Sequence, residues 1–166
     1  MPHLAARVSS FNKKKINPAK NLESNCTCRD KANCPSKDTC NTEDVLYVAT
    51  VKAEEKTHTY TGVTSNSFKS RIKNHEQNFK SLNPKMQNKT TLSTFICNLK
   101  KKNIEFTVDW EIVRQVPSYK AGSDKCNLCI AEVAQIFFKK ELATLNNKEE
   151  IFNTCRHRAR PKLSRA

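Results

Sequence analysis

Within YTGVTSNSFKSRIKNH, Tyr60 to His75, the chain sets a phenol, one of its two glycines, a guanidinium and an imidazole. Arg71 and His75 are four residues apart, so on a helix they lie one turn apart on the same side. A guanidinium is always charged and offers forked donors, which suits a phosphate. An imidazole beside it can assist proton transfer, hold a phosphate, or make a structural hydrogen bond. Further on, Glu132 sits inside the apolar run NLCIAEVAQIFF, with Leu128 and Ile136 at i−4 and i+4. A carboxylate is costly to bury there unless it meets a cation; a salt-bridged or snorkelling side chain is the ordinary alternative. A hard divalent ion such as Mg²⁺ takes one or two carboxylates, waters and substrate phosphate oxygens. Phosphodiester hydrolysis requires an activated nucleophile, a cation for the transition-state charge and a stabilised leaving oxygen.

Eight cysteines form a second set. Cys26, Cys28, Cys34 and Cys40 supply four thiolates within fifteen residues, enough for one tetrahedral Zn²⁺. Cys126 and Cys129 have chelating x2 spacing, and Cys155 with His157 follows about thirty residues later. Together they can make a Cys3His site that pins the last helix to the one carrying Glu132. Burial of Cys126 and Cys129 on their helix, or sharing of ligands between the groups, is also compatible with the spacing. Filled by four protein ligands, such sites are structural. Cys97 stands alone and reads as a small buried apolar residue.

The elements that must position these groups are legible from periodicity. VLYVATVK, 45–52, is rich in β-branched and aromatic residues and reads as a strand. A polar turn, AEEKTH, leads to a second strand through Tyr60 to Val63, giving a hairpin. Gly62 there permits close backbone approach or an unusual dihedral; alone, an ordinary turn glycine is the simpler reading. Ser65, Asn66 and Ser67 are good N-caps for a helix carrying Phe68, Ile72 and Phe79 to the core. SLNPKMQNKTT is a loop, and Leu92, Phe95, Ile96 and Leu99 mark an amphipathic helix. Ile104, Phe106, Val108, Trp110 and Ile112 alternate with polar residues, the clearest strand signal. PSYKAGSDK is a loop, followed by a helix over about 126–140 and a short one around 147–154. The order predicts an α+β fold, a small, mostly antiparallel three-stranded sheet flanked by helices. Residues 1–24 read as a basic linker, 25–43 as a cysteine-rich zinc knob with little to pack, 44–157 as the main domain and 158–166 as a basic tail.

With 166 residues there is room for one ordinary domain, and 37% hydrophobic content allows only a lean core. The formal charge of +14 expects a polyanion, nucleic acid first, with Lys69 and Lys73 beside Arg71 as backbone contacts. A merely soluble lysine-rich surface is the plainer alternative. No apolar run approaches the roughly twenty residues needed to span a bilayer, so no membrane role is expected. The N-terminus, MPHLAARVSSFNKKK, lacks the features of a signal peptide, so a reducing intracellular setting is expected and the cysteines read as ligands rather than disulfides.

LY at 46–47, YTG at 60–62, Arg71 and His75 on the next helix, Glu132 and Asn146 together resemble the GIY-YIG endonuclease family. The cysteine knob, CNLC at 126–129 and CRH at 155–157 look more narrowly like the endonuclease domain of Penelope-like retroelements. The resemblance covers roughly residues 26–157; its triplets read VLY and YTG, with Val45 and Thr61 in place of the family's glycine and isoleucine. It implies that Tyr47 is general base or orienter of the attacking water. Arg71 or a metal would then have to lower a phenol pKa of about 10. It further implies that Tyr60 orients water or phosphate, that Glu132 ligates Mg²⁺ or Mn²⁺, and that Asn146 braces the site by hydrogen bonding, with Asn147 the adjacent alternative. The implied activity is a DNA nickase leaving 5′-phosphate and 3′-hydroxyl ends. The implied context is nuclear: fusion to a reverse transcriptase that uses the 3′-hydroxyl as primer, with element RNA nearby. The alternative is a catalytically inactive, zinc-stabilised nucleic-acid-binding module.

Overall fold

The computed structural model describes residues 26–32, 34–36, 38–80, 90–117, 126–147, 150, 155 and 157. The basic linker, the basic tail, nearly all of both expected loops and most of the short helix expected around 147–154 lie outside them.

Three antiparallel strands, β1 (Val45–Ala53), β2 (Lys56–Thr64) and β3 (Phe106–Gln115), form one sheet in the order β2-β1-β3. Among the described residues three α-helices, α1 (Phe68–Lys80), α2 (Thr91–Lys101) and α3 (Asn127–Phe138), flank it, with a 3₁₀ turn at Lys140–Leu142. The fold is therefore α+β, with the central strand buried on both sides as its apolar sequence requires. Val45, Tyr47, Ala49, Val51 and Ala53 face Phe68, Ile72 and Phe79 of α1 and Leu92, Ile96 and Leu99 of α2. On the other face Leu46 and Val63 meet Leu128 and Ala131 of α3. In β3 the alternation holds: Trp110 is buried and Phe106, Val108 and Ile112 pack on the first cluster, while Thr107, Asp109 and Glu111 are exposed.

The hairpin is tighter than its sequence suggests. β2 starts at Lys56 and pairs through to Thr64, leaving only Glu54 and Glu55 as the turn, both left-handed at φ 48° and 62°. The register that puts Tyr60 and Gly62 on the Tyr47 face draws Lys56 to Thr59 into the strand. β3 carries one extra residue, Val113, where the register steps from Leu46↔Arg114 to Tyr47↔Ile112. A bulge at this point increases local twist and aims the side chain opposite it, here Tyr47.

β2 lies at the edge of the sheet, and the chain after α3 closes that edge. The Leu145 N–H donates to Thr59 O at 2.9 Å, and the Thr59 N–H donates to Thr144 Oγ1 at 2.7 Å. The hydroxyls of Thr59 and Thr61 donate to the carbonyls of Glu141 and Leu142, each at 2.7 Å. At Thr59 and Thr61 the edge groups are therefore committed and not open to pairing with another strand.

Candidate active site and cysteine clusters

Tyr47 on β1 is fully buried, and its hydroxyl is held from two sides. Arg71 Nε on α1 donates to Tyr47 Oη at 2.9 Å, and His75 Nε2, one turn along, lies 2.8 Å from the same oxygen. Arg71 fills one lone pair of the phenol oxygen, and the second contact can run either way with the tautomer: the phenol donates to a bare Nε2, leaving the ring hydrogen on Nδ1, or it accepts from Nε2–H. That Nδ1 has no hydrogen-bond partner among the described residues and lies in a cage of Tyr60, Phe79 and Trp110 rings. Burial first, then the Arg71 charge, pushes the His75 pKa down to about 3, so the ring is neutral. His75 is only 1% exposed and is not placed to hold a phosphate.

Gly62 sits mid-strand directly opposite Tyr47. A Cβ there would lie 2.5 Å from Tyr47 Oη and 2.7 Å from Cζ, so the glycine is required by close approach, not by a turn. Tyr60, also buried, flanks it.

The electrostatics differ from expectation at Tyr47. Burial raises its pKa, and the opposing Arg71 charge and hydrogen bond do not reverse that shift. Arg71 pulls in the expected direction, but no net lowering results: desolvation outweighs one neighbouring cation. Burial likewise lifts Tyr60 well above the ordinary phenol range. Burial lowers the Arg71 pKa, but Tyr47, Tyr60 and Glu132 together raise it by more, so it stays charged.

Glu132 on α3 belongs to the same electrostatic neighbourhood. Burial, then the charge of Glu150, raises its pKa to about 7, while Arg71 pulls it down. Asn146 sits on the edge of β2: its Oδ1 accepts from the Thr61 N–H at 2.8 Å and its Nδ2 donates to Thr61 O at 2.8 Å. The same Nδ2 donates to Glu150 Oε2 at 2.9 Å, and the Asn147 N–H donates to that oxygen at 3.3 Å. Asn146 therefore braces the backbone between Tyr60 and Gly62, and Asn147 contributes its backbone. Glu150, in a lysine- and glutamate-rich stretch, carried no sequence signal beyond surface charge.

Both cysteine clusters assemble. The thiols of Cys26, Cys28, Cys34 and Cys40 all lie within 4.8 Å of one another, as do the donors of Cys126, Cys129, Cys155 and His157. Cys26 and Cys34 sulfurs are 3.5 Å apart, Cys28 and Cys40 3.7 Å, and Cys26 and Cys40 3.3 Å. Those spacings approach the roughly 3.8 Å edge of a tetrahedron with 2.3 Å Zn–S bonds. In the second cluster His157 Nδ1 is 3.9 Å from Cys126, 3.3 Å from Cys129 and 3.9 Å from Cys155 sulfur. Burial lowers the His157 pKa, favouring the neutral ligand form. The two clusters are compatible with structural zinc in the grouping by spacing, and none of the eight cysteines forms a disulfide. Cys97 lies outside both and is half-buried on α2 rather than enclosed.

The first cluster also caps α1. The N–H groups of Phe68 and Lys69 donate to the carbonyls of Thr42 and Cys40 at 2.9 and 2.7 Å. The local candidate Ser67 instead shares its hydroxyl with Ser70 at 2.8 Å. Lys69 hydrogen-bonds the Cys28 thiol, which raises the lysine pKa, so its amine faces the knob. Lys73, the other expected nucleic-acid contact, is exposed on the same helix. No helix among the described residues is long and apolar enough to cross a membrane.

No protein-family model, curated protein or solved structure matches this chain.

Proposed function

We propose that the chain is a metal-dependent DNA endonuclease of GIY-YIG type that nicks DNA by phosphodiester hydrolysis. The observation that carries the reading is the convergence on Tyr47 Oη of Arg71 Nε and His75 Nε2, over a glycine that leaves the room for it. A binding module needs cations on its surface; it does not need a buried tyrosine to hold an arginine by one nitrogen. With Nε occupied, the terminal nitrogens of the guanidinium remain for a phosphate. Tyr47 thus first aims Arg71. In the proposed reaction its hydroxyl orients the attacking water; the raised phenol pKa and the neutral His75, a poor proton acceptor, disfavour a role as base. Tyr60 supports the wall opposite His75, and Asn146 fixes the backbone between Tyr60 and Gly62.

Glu132 suits one divalent cation. Its carboxylate is half-buried, with the Glu150 charge raising its pKa and the Arg71 charge lowering it. Mg²⁺ or Mn²⁺ held there would offset the charge that develops on the phosphate. Lys73, with Lys69 beside the knob, is proposed to meet the DNA backbone. On the resemblance to the endonuclease domain of Penelope-like retroelements, we also propose a nuclear setting in which a reverse transcriptase, with element RNA nearby, uses the 3′-hydroxyl as primer.

The chemistry of the ends tests this. Supercoiled plasmid incubated with the protein and Mg²⁺ should relax to the open-circular form, and a DNA polymerase should extend the new ends without phosphatase treatment. Ends that need prior removal of a 3′-phosphate would contradict the proposed hydrolysis.

A further inference from the structure

Glu150 bridges the Asn146–Asn147 segment and the start of α2. Its Oε2 accepts from Asn146 Nδ2 at 2.9 Å and from the Asn147 N–H at 3.3 Å. Its Oε1 accepts from the Thr91 hydroxyl at 3.0 Å and the Thr91 N–H at 3.4 Å, at the first residue of α2. All four partners are donors, so both carboxylate oxygens are directed at protein and the group reads as a brace rather than a metal ligand. A carboxylate at a helix N-terminus is also favoured by the unpaired N–H groups there. The Asn146 amide it touches is already committed to both backbone groups of Thr61. Thr61 lies between Tyr60 and Gly62, and Gly62 faces Tyr47 across the sheet. The order of contact therefore runs from α2 through Glu150 and Asn146 to the strand wall on which Tyr47 packs.

We propose that Glu150 is a positioning residue of this site: its carboxylate holds the Asn146 amide, and with it the Tyr60–Gly62 backbone, against the start of α2. The proposal rests on the reading of the site given above. Its negative charge reaches Glu132 as well, where it is the largest influence after burial. Outer-shell partners of this kind typically alter activity by about 10- to 100-fold when removed. Glutamine at 150 keeps one acceptor oxygen for Asn146 and can turn its amide to the Thr91 hydroxyl, which accepts as well as donates. Alanine removes both links.

The test uses the full zinc-loaded chain and reads the Thr61 amide directly by hydrogen exchange. In Glu150→Ala, Thr61 exchange should rise about tenfold or more while the amides of β1 stay protected; Glu150→Gln should stay within about threefold of wild type. Plasmid nicking should fall about 10- to 100-fold in Glu150→Ala. The Asn146→Ala/Glu150→Ala double variant should be no slower than Asn146→Ala alone, as two residues acting through one contact require. Unchanged Thr61 exchange in Glu150→Ala, or rate losses that multiply in the double variant, would overturn the proposal. Should Glu150→Ala fail to fold, Asn146→Asp sets a second carboxylate against Glu150, and Thr61 exchange must rise there or the proposal fails. A wild type that never nicks DNA would remove the endonuclease reading, and Thr61 exchange would still decide the role of Glu150.

Discussion

Tyr47 and His75 form a buried polar pair whose cost appears as a pH dependence of stability. The imidazole is neutral in the folded protein, with a pKa near 3, because burial and Arg71 both oppose its charge. In the unfolded chain the same ring titrates near 6.5. Below that value the unfolded state takes up a proton that the folded state refuses, so acid favours unfolding through this residue. The contribution is fully present above about pH 6.5 and declines as pH falls towards 3, by about 1.4 kcal/mol per unit. Urea unfolding at pH 7 and pH 5 should therefore show wild type losing about 2 kcal/mol more than His75→Gln. Because both proteins keep the cysteine clusters, loss of zinc in acid affects them alike, and equal losses would contradict the assignment.

The elements depend on one another through contacts that are local to neither. The first turn of α1, which carries Lys69 and leads to Arg71, has two of its N–H groups satisfied by carbonyls of the cysteine knob. Helix ends left without partners are costly, so zinc bound by Cys26, Cys28, Cys34 and Cys40 is expected to order the start of that helix. Elemental analysis should find about two zinc ions per chain, one for each four-ligand cluster. Removing the knob's metal with a chelator, or disabling it with Cys40→Ser, should raise amide exchange at Phe68 and Lys69 before it affects β1 or β3. A metal-free protein with α1 fully protected would contradict this role.

That dependence also explains what could be read from residue order. The three strands and three helices announce themselves because their apolar residues recur at period two or 3.6, as in Ile104 to Ile112 and Leu92 to Leu99. The hairpin turn does not, because Glu54 and Glu55 are not the Asn-Gly or Asp-Gly pair that left-handed turns favour. Nor does the capping of α1, since its carbonyls come from residues far back in sequence while Ser67 looks sufficient on paper. At the site, residue types located Tyr47, Arg71, His75 and Asn146, and the fold brings their side chains or braces to one wall. The direction of the Tyr47 shift was not legible, because it depends on complete enclosure by Phe68, Trp110 and the sheet. Glu150 was not legible either, because two of its four donors come from Thr91, distant in sequence at the start of α2.

At the scale of the whole molecule, a net charge of +14 supplies attraction to any polyanion and cannot by itself separate a nuclease from a binding module. What separates them is whether Glu132, in the field of Glu150 and Arg71, serves a metal ion. Substituting it removes one carboxylate and leaves the basic surface and both cysteine clusters in place. The most direct measurement is supercoiled-plasmid nicking in Mg²⁺ or Mn²⁺ by wild type and Glu132→Ala side by side, with DNA binding followed in parallel. The account predicts that wild type nicks, that Glu132→Ala is slower by about 10²-fold or more, and that both bind DNA similarly. Equal nicking by the two proteins, or none by either, would contradict it.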